Sequence, residues 1–208
     1  FTNRKHFPSQ EIHSQIPKAM KERSEAGMEV SNLMQGFCFY GPPDSAVAAG
    51  RAALERPETA RYNQDAGTPE LRAALVDFMR REHGVSGYDV QVTAGANQAF
   101  ANIAAAVLDE GSEAILFEPA YFNHVMALQL AGAVVTTVAT GPDLTPDPAA
   151  IPFSDKTRIV VVVTPSNPTG AITSGATLRA IAEDCRQRGV WLVIDYTYVL
   201  FTFDGEEQ

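Results

Sequence analysis

After Gly84 the sequence alternates short runs rich in β-branched and aromatic residues with longer runs whose apolar residues recur at helical spacing. DVQVTA, AILFE, AVVTTVA, RIVVVVTP and VWLVIDY read as strands; NQAFANIAAAVLDE, YFNHVMALQLAG and TLRAIAEDCRQRG read as helices. Strand and helix in strict alternation build a mostly parallel sheet with helices packed on its faces, so the expectation is an open α/β fold. Residues 159–164 and 191–194 are apolar on both faces, the pattern of central strands covered on each side. Upstream, SAVAAGRAALER and TPELRAALVDFMRREH carry helical periodicity, and the second opens with Thr68 as N-cap and Pro69 at the first helical position. Residues 1–30 are polar and mixed and read as an arm. Pro8 and Pro17 are expected to interrupt any long helix there, leaving a short one over 16–28.

Composition narrows the function classes. A formal charge of −9 on 208 residues argues against non-specific binding to nucleic acid or anionic membranes, both of which need basic patches. A small-molecule partner is expected. No apolar stretch approaches the roughly 20 residues that span a bilayer, and the first residues lack the apolar segment of a signal peptide, so a cytoplasmic location is expected. Cys38 and Cys185 are too few for a disulfide framework, and with four scattered histidines they offer no metal-ligand spacing. Both thiols are expected to be buried and reduced.

In open α/β sheets ligands collect at the carboxyl ends of strands, where loops and helix N-termini converge. Three such ends carry polar groups. Val92-Thr93-Ala94-Gly95-Ala96-Asn97-Gln98 runs from a strand through small residues into a helix, which suits an anion approaching backbone N–H groups at a helix N-terminus. It equally suits a tight turn capped by Asn97. Thr164-Pro165-Ser166-Asn167-Pro168-Thr169-Gly170 holds Asn167 between prolines, with a cis Asn167–Pro168 bond among the conformations open to it. Asn-Pro-Thr-Gly is also a good turn sequence. Asp195 follows the apolar run Trp191-Leu192-Val193-Ile194, where a carboxylate calls for a protonated nitrogen or a metal unless it caps the next turn in contact with water.

Taken together, Tyr62-x-x-x-x-Gly67-x-Pro69-x-Leu71-Arg72, Val92-Thr93-Ala94-Gly95, Asn167-Pro168-Thr169-Gly170 and Asp195-x-x-Tyr198 resemble, in order and spacing, the fold-type I pyridoxal 5'-phosphate (PLP) enzymes, most closely the aminotransferases of class I/II. The resemblance runs from about Val30 to Gly205. It implies a three-layer α/β/α large domain over 45–208, incomplete at its C-terminal end, preceded over 1–44 by an arm and part of a small domain. Asp195 would pair with the ring nitrogen of PLP, Asn167 and Tyr198 would bond its phenolic oxygen, and Tyr121 would stack on the ring. Gly95, Ala96 and Asn97 would take the phosphate, joined by Tyr62 from the other subunit of a homodimer. Gly36, with Asn167, would lie near the substrate carboxylate.

Amino-group transfer between an amino acid and a 2-oxo acid is the activity the resemblance implies, with a PLP-dependent lyase, cyclase or oxidase as the alternative. No Gly-x-Gly-x-x-Gly or Walker-type Gly-Lys-Ser/Thr follows a strand, which argues against a nucleotide-binding domain. Two departures bear on substrate preference: the run from Phe37 to Pro43 differs from the family's usual Pro-Asp-Phe, and Tyr196 stands where many members have Glu. The family's cofactor-anchoring lysine lies in a Ser-x-x-Lys setting beyond the Asp-x-x-Tyr motif, and Lys5, Lys18, Lys21 and Lys156 are not in that setting. The family's carboxylate-binding arginine lies further on still. The chain is therefore expected to be a fragment, inactive alone, with no catalytic lysine of its own.

Overall fold

A computed structural model describes residues 8–32, 36 and 40–203, with side chains from residue 15 onward. The chain divides into two compact units, Phe1–Val92 and Thr93–Gln208. Cys38 lies outside the described residues.

The first unit is helical: α1 (Pro8–Glu25), α2 (Asp44–Leu54), a 3-10 turn (Pro57–Ala60) and α3 (Pro69–His83). The expected interruption of α1 does not occur, and the helix runs through Pro17. Proline costs a helix one N–H bond but does not forbid it. α3 begins as its sequence signals: the Thr68 hydroxyl accepts from the Leu71 N–H at 3.3 Å, Pro69 follows, and left-handed Gly84 closes the far end. No residue of α2 or α3 is buried.

DVQVTA does not form a strand. A strand needs a partner, and none lies beside it among the described residues. Its backbone is bonded elsewhere: the Val92 N–H donates to the Ala66 carbonyl at 2.9 Å, and Arg72 Nε donates to the Val90 carbonyl at 2.7 Å. This close approach needs Gly67. At its φ of 103°, a Cβ would lie 2.5 Å from Val92 Cγ2.

The second unit alternates as expected: α4 (Ala96–Val107), β1 (Glu113–Glu118), α5 (Phe122–Leu130), β2 (Val134–Ala139), a 3-10 turn (Pro148–Ala150), β3 (Thr157–Val163), α6 (Gly175–Arg188) and β4 (Trp191–Asp195). All pairings are parallel, in the order β2-β1-β3-β4. Successive residues of a strand point to opposite faces, and the two cores follow that period. Ala114 and Leu116 of β1, with Ile159 and Val161 of β3, pack against Phe100 and Ala104 of α4 and Leu128 of α5. Ile115, Phe117, Val160 and Val162 pack on the other side against Leu178, Ile181 and Cys185 of α6. These are three α/β/α layers. β1 and β3 are the central strands. β4, expected to be central, is the last strand described on its side, half-buried with Trp191 exposed. Cys185 is buried as expected, and burial pushes its thiol up to about 11.

At the amino end of the sheet one carboxylate joins three strands. Glu113 of β1 accepts from Thr136 of β2 at 2.8 Å, and from Ser154, before β3, and Thr157, its first residue, at 2.6 Å each. Burial pushes this carboxyl up, but the hydroxyls of Ser154, Thr157 and Thr136 and the charge of Lys156 outweigh it, and it titrates below its ordinary value of 4.5. A carboxyl depressed by folding contributes stability above its unfolded value, and that contribution disappears as pH falls through the folded value. Glu113→Gln is therefore expected to cost about 1–2 kcal/mol at neutral pH. Its penalty should shrink below about pH 4; urea unfolding of both proteins across pH 3–8 measures the difference.

Candidate functional site

Between β1 and β3 the chain changes direction. From β1 it proceeds to β2 on one side, and from β3 to β4 on the other, with α5 and α6 on opposite faces. Loops diverge at such a point and leave a crevice at the carboxyl ends of the strands. A cavity of about 220 Å³ lies there, lined by Ala94, Gly95, Ala96, Asn97, Tyr121, Val163, Asn167, Asp195, Thr197 and Tyr198.

One wall is the start of α4. Gly95 is its N-cap, at φ 81° and ψ 171°, a conformation nearly confined to glycine. No side chain caps the helix, so Asn97 does not play that part. Gln98 turns back instead, accepting from the Ala94 N–H at 2.5 Å. The first-turn N–H groups of Ala96, Asn97 and Gln98 therefore have no helical acceptor, and the helix dipole adds partial positive charge beside the cavity.

The loop after β3 closes on itself. The Ser166 N–H donates to the Ala171 carbonyl, and the Gly170 N–H to the Ser166 carbonyl. Thr164 is buried; its N–H donates to the Asp195 carbonyl at 3.0 Å, and its hydroxyl accepts from the Thr173 N–H at 2.9 Å. Asn-Pro-Thr-Gly is thus a turn and also a mount for Asn167, with the Asn167–Pro168 peptide cis. Asn167 Nδ2 lies 3.5 Å from the Tyr198 hydroxyl.

Asp195 ends β4 beside Val163 with its side chain 11% exposed. Burial alone would raise its carboxyl, but His124 and the hydroxyl and N–H of Thr197 outweigh burial and hold it at about 2. His124 Nε2 is 3.1 Å from Oδ2, while the Thr197 hydroxyl and N–H donate to Oδ1 at 2.6 and 2.9 Å. A carboxylate at this distance only accepts, so Nε2 carries the proton. The imidazole is buried between Phe100, stacked at 4.0 Å, and Tyr121, edge-on at 5.0 Å, and its Nδ1 has no hydrogen-bond partner among the described residues. Asn123 Nδ2 donates to the Tyr121 hydroxyl at 2.8 Å. The cavity therefore has an ionised carboxylate on one element, helix N–H groups on another, and an amide, two phenols and a small-residue surface between them.

Residues 28–208 match the family described as aminotransferase class I and II. The chain belongs to this family. It is 38% identical over 183 residues to an aromatic aminotransferase of Arabidopsis thaliana, covering 84% of this chain and 46% of that protein. An aspartate/prephenate aminotransferase of Thermus thermophilus is 34% identical, covering 91% of this chain and 50% of its own length. Among solved structures, an alanine aminotransferase from Pyrococcus furiosus superposes with a TM-score of 0.86 at 29% identity, covering 93% of this chain and 51% of that one. The chain spans about half the length of these three aminotransferases. Members of the family use pyridoxal phosphate, and the three-layer sheet is that of their large domain.

Of the residues singled out in the sequence, Gly95, Ala96, Asn97, Tyr121, Asn167, Asp195 and Tyr198 line the one cavity. Tyr62 and Gly36 belong to the first unit and are exposed. Two residues beside Asp195 had not been singled out. His124 was legible as the single histidine of a mostly apolar helix, one turn after Tyr121; Thr197 stands two residues after an aspartate, where a local turn places a donor. His124→Ala is expected to lower stability by about 2–4 kcal/mol through the gap left between Phe100 and Tyr121. It should also raise the titration midpoint of Asp195, read by carboxyl ¹³C NMR.

Proposed function

We propose that this chain is the cofactor-cradling half of a PLP-dependent aminotransferase that moves an amino group between an amino acid and a 2-oxo acid. The observation that carries the proposal is one cavity bounded by the ionised Asp195 and the uncapped N-terminus of α4. The donor set fits pyridoxal phosphate, which has a basic ring nitrogen, a phenolic oxygen and a phosphate.

Asp195, held ionised, would keep the ring nitrogen protonated. Asn167 and Tyr198 would direct hydrogen bonds to the phenolic oxygen, and Tyr121 would cover a ring face. The N–H groups around Gly95, Ala96 and Asn97 would bind the phosphate without a basic side chain. When bound, pyridoxal phosphate supplies an electron sink for the pair left at the substrate α-carbon as its proton departs. Moving that proton and holding the substrate carboxylate fall, by family likeness, to a lysine and an arginine in the half of the relatives' length that this chain does not cover.

In the same proposal Tyr62 reaches the phosphate from the second subunit of a homodimer, Gly36 lies near the substrate carboxylate, and residues 1–44 form an arm and part of the small domain. A cytoplasmic location is part of the same proposal; no helix among the described residues is long and apolar enough to cross a membrane.

Supplied with a ¹⁵N-labelled amino acid and an unlabelled 2-oxo acid, the full-length protein is expected to return the label in a new amino acid. Label released as ammonia would assign the protein to the lyases instead. Asp195→Ala should lower kcat/KM at least about a hundredfold. Gly95→Ala should weaken PLP binding roughly tenfold, because alanine adopts that backbone at a cost of about 1–3 kcal/mol; equilibrium dialysis of the cofactor checks it.

A further inference from the structure

We propose that Thr197 is a positioning residue for Asp195, its hydroxyl fixing the rotation of the carboxylate and keeping it ionised toward the cofactor. The inference rests on the placement of the ring nitrogen at Asp195 proposed above and goes beyond it to a residue at an unspecified position of the Asp195-x-x-Tyr198 motif.

A carboxylate offers about four lone-pair sites. Thr197 occupies two on Oδ1 through its N–H at 2.9 Å and its hydroxyl at 2.6 Å, and His124 faces Oδ2 at 3.1 Å. By count, one strong site remains for an incoming N–H. The N–H bond alone is what any residue two places after an aspartate can make in a local turn. The hydroxyl is a separate contribution of this side chain. Without it Oδ1 has a free site, the group is held by one contact on each oxygen, and rotation about Cβ–Cγ breaks two bonds instead of three.

Thr197 lines the cavity, so its bond to Asp195 forms the wall that a ligand meets. The other titratable groups facing the carboxylate are His124 from α5 and, around the same cavity, Tyr121 and Tyr198. Asp195 is the only carboxylate of that lining, and no lysine or arginine is part of it. The donors on Asp195 therefore do the work that a cationic neighbour does elsewhere, which makes each of them count.

The test compares Thr197→Val, which keeps size and the backbone N–H, with Thr197→Ser, which keeps the hydroxyl, and with Asp195→Ala, all in the full-length protein. Two quantities are read: the titration midpoint of Asp195 in the cofactor-free protein, by ¹³C NMR of labelled aspartate, and the dissociation constant of PLP. Thr197→Val should raise the midpoint by about one pH unit, the effect of losing one charge-assisted hydrogen bond. It should also weaken PLP binding severalfold, with Thr197→Ser restoring both; Thr197→Ala replaces the valine variant if the latter does not fold.

An unchanged midpoint in Thr197→Val, a raised midpoint with unchanged PLP affinity, or a serine variant that behaves like valine would each overturn the proposal. Asp195→Ala separates the two levels. If it binds PLP as tightly as the parent, the placement of the cofactor is wrong; if it loses PLP while Thr197→Val matches the parent, only the role of Thr197 is wrong.

Discussion

β3 is buried on both faces and can keep its polar backbone only by pairing along both edges, which it does with β1 and β4. That condition governs the second unit. With both faces and both edges committed, β3 has only its two ends left for polar groups, Thr157 on Glu113 at the amino end and the loop of Asn167 at the carboxyl end. The same holds for β1, covered by α4 and α5 on one side and by α6 on the other. Polar residues that would be costly inside the sheet gather where the strands stop: Tyr121 after β1, Asn167 after β3, Asp195 at the end of β4. The cavity is a consequence of packing before it is a consequence of function.

Much of this was legible in the sequence because the signals were local or periodic. Thr68 and Pro69 announce the start of α3, and the all-apolar run of β3 announces a strand with two covered faces. Three of the motifs hold Gly95, Asn167, Asp195 and Tyr198, and the resemblance they carry adds Ala96, Asn97 and Tyr121 of the same cavity. What the sequence hid depended on neighbours distant along the chain. DVQVTA has strand composition, but pairing is a property of two segments, and Ala66 and Arg72 take its backbone groups instead. β4 is as apolar as β3 and yet half-exposed, since apolar composition records what a strand could bury, not what lies beside it.

His124 shows the same limit from the other direction. Nothing within α5 says that its histidine will stack on Phe100 and face a carboxylate 71 positions later, because those contacts exist only once α4, α5 and β4 are assembled. Its buried Nδ1 has no hydrogen-bond partner among the described residues, while the opposite nitrogen faces Asp195. Sequence reasoning could place the aspartate; only the packed fold could name what keeps it charged.

The two ends of the cavity have opposite polarity and different origins. Asp195 presents a full negative charge held by side-chain and backbone donors, whereas the start of α4 presents partial positive charge that comes from backbone alone. A ligand with a cationic N–H at one end and an anionic group at the other can lie between them in one direction only, since reversal sets like against like at both ends. Orientation is thereby decided before any particular contact forms. Because the positive end relies on the peptide groups after Gly95, most substitutions of neighbouring side chains leave that polarity intact, while a change of backbone conformation at Gly95 removes it. The negative end has the reverse sensitivity: its backbone is fixed by pairing with β3, and its charge depends on the side chains of His124 and Thr197 as well as on the Thr197 N–H.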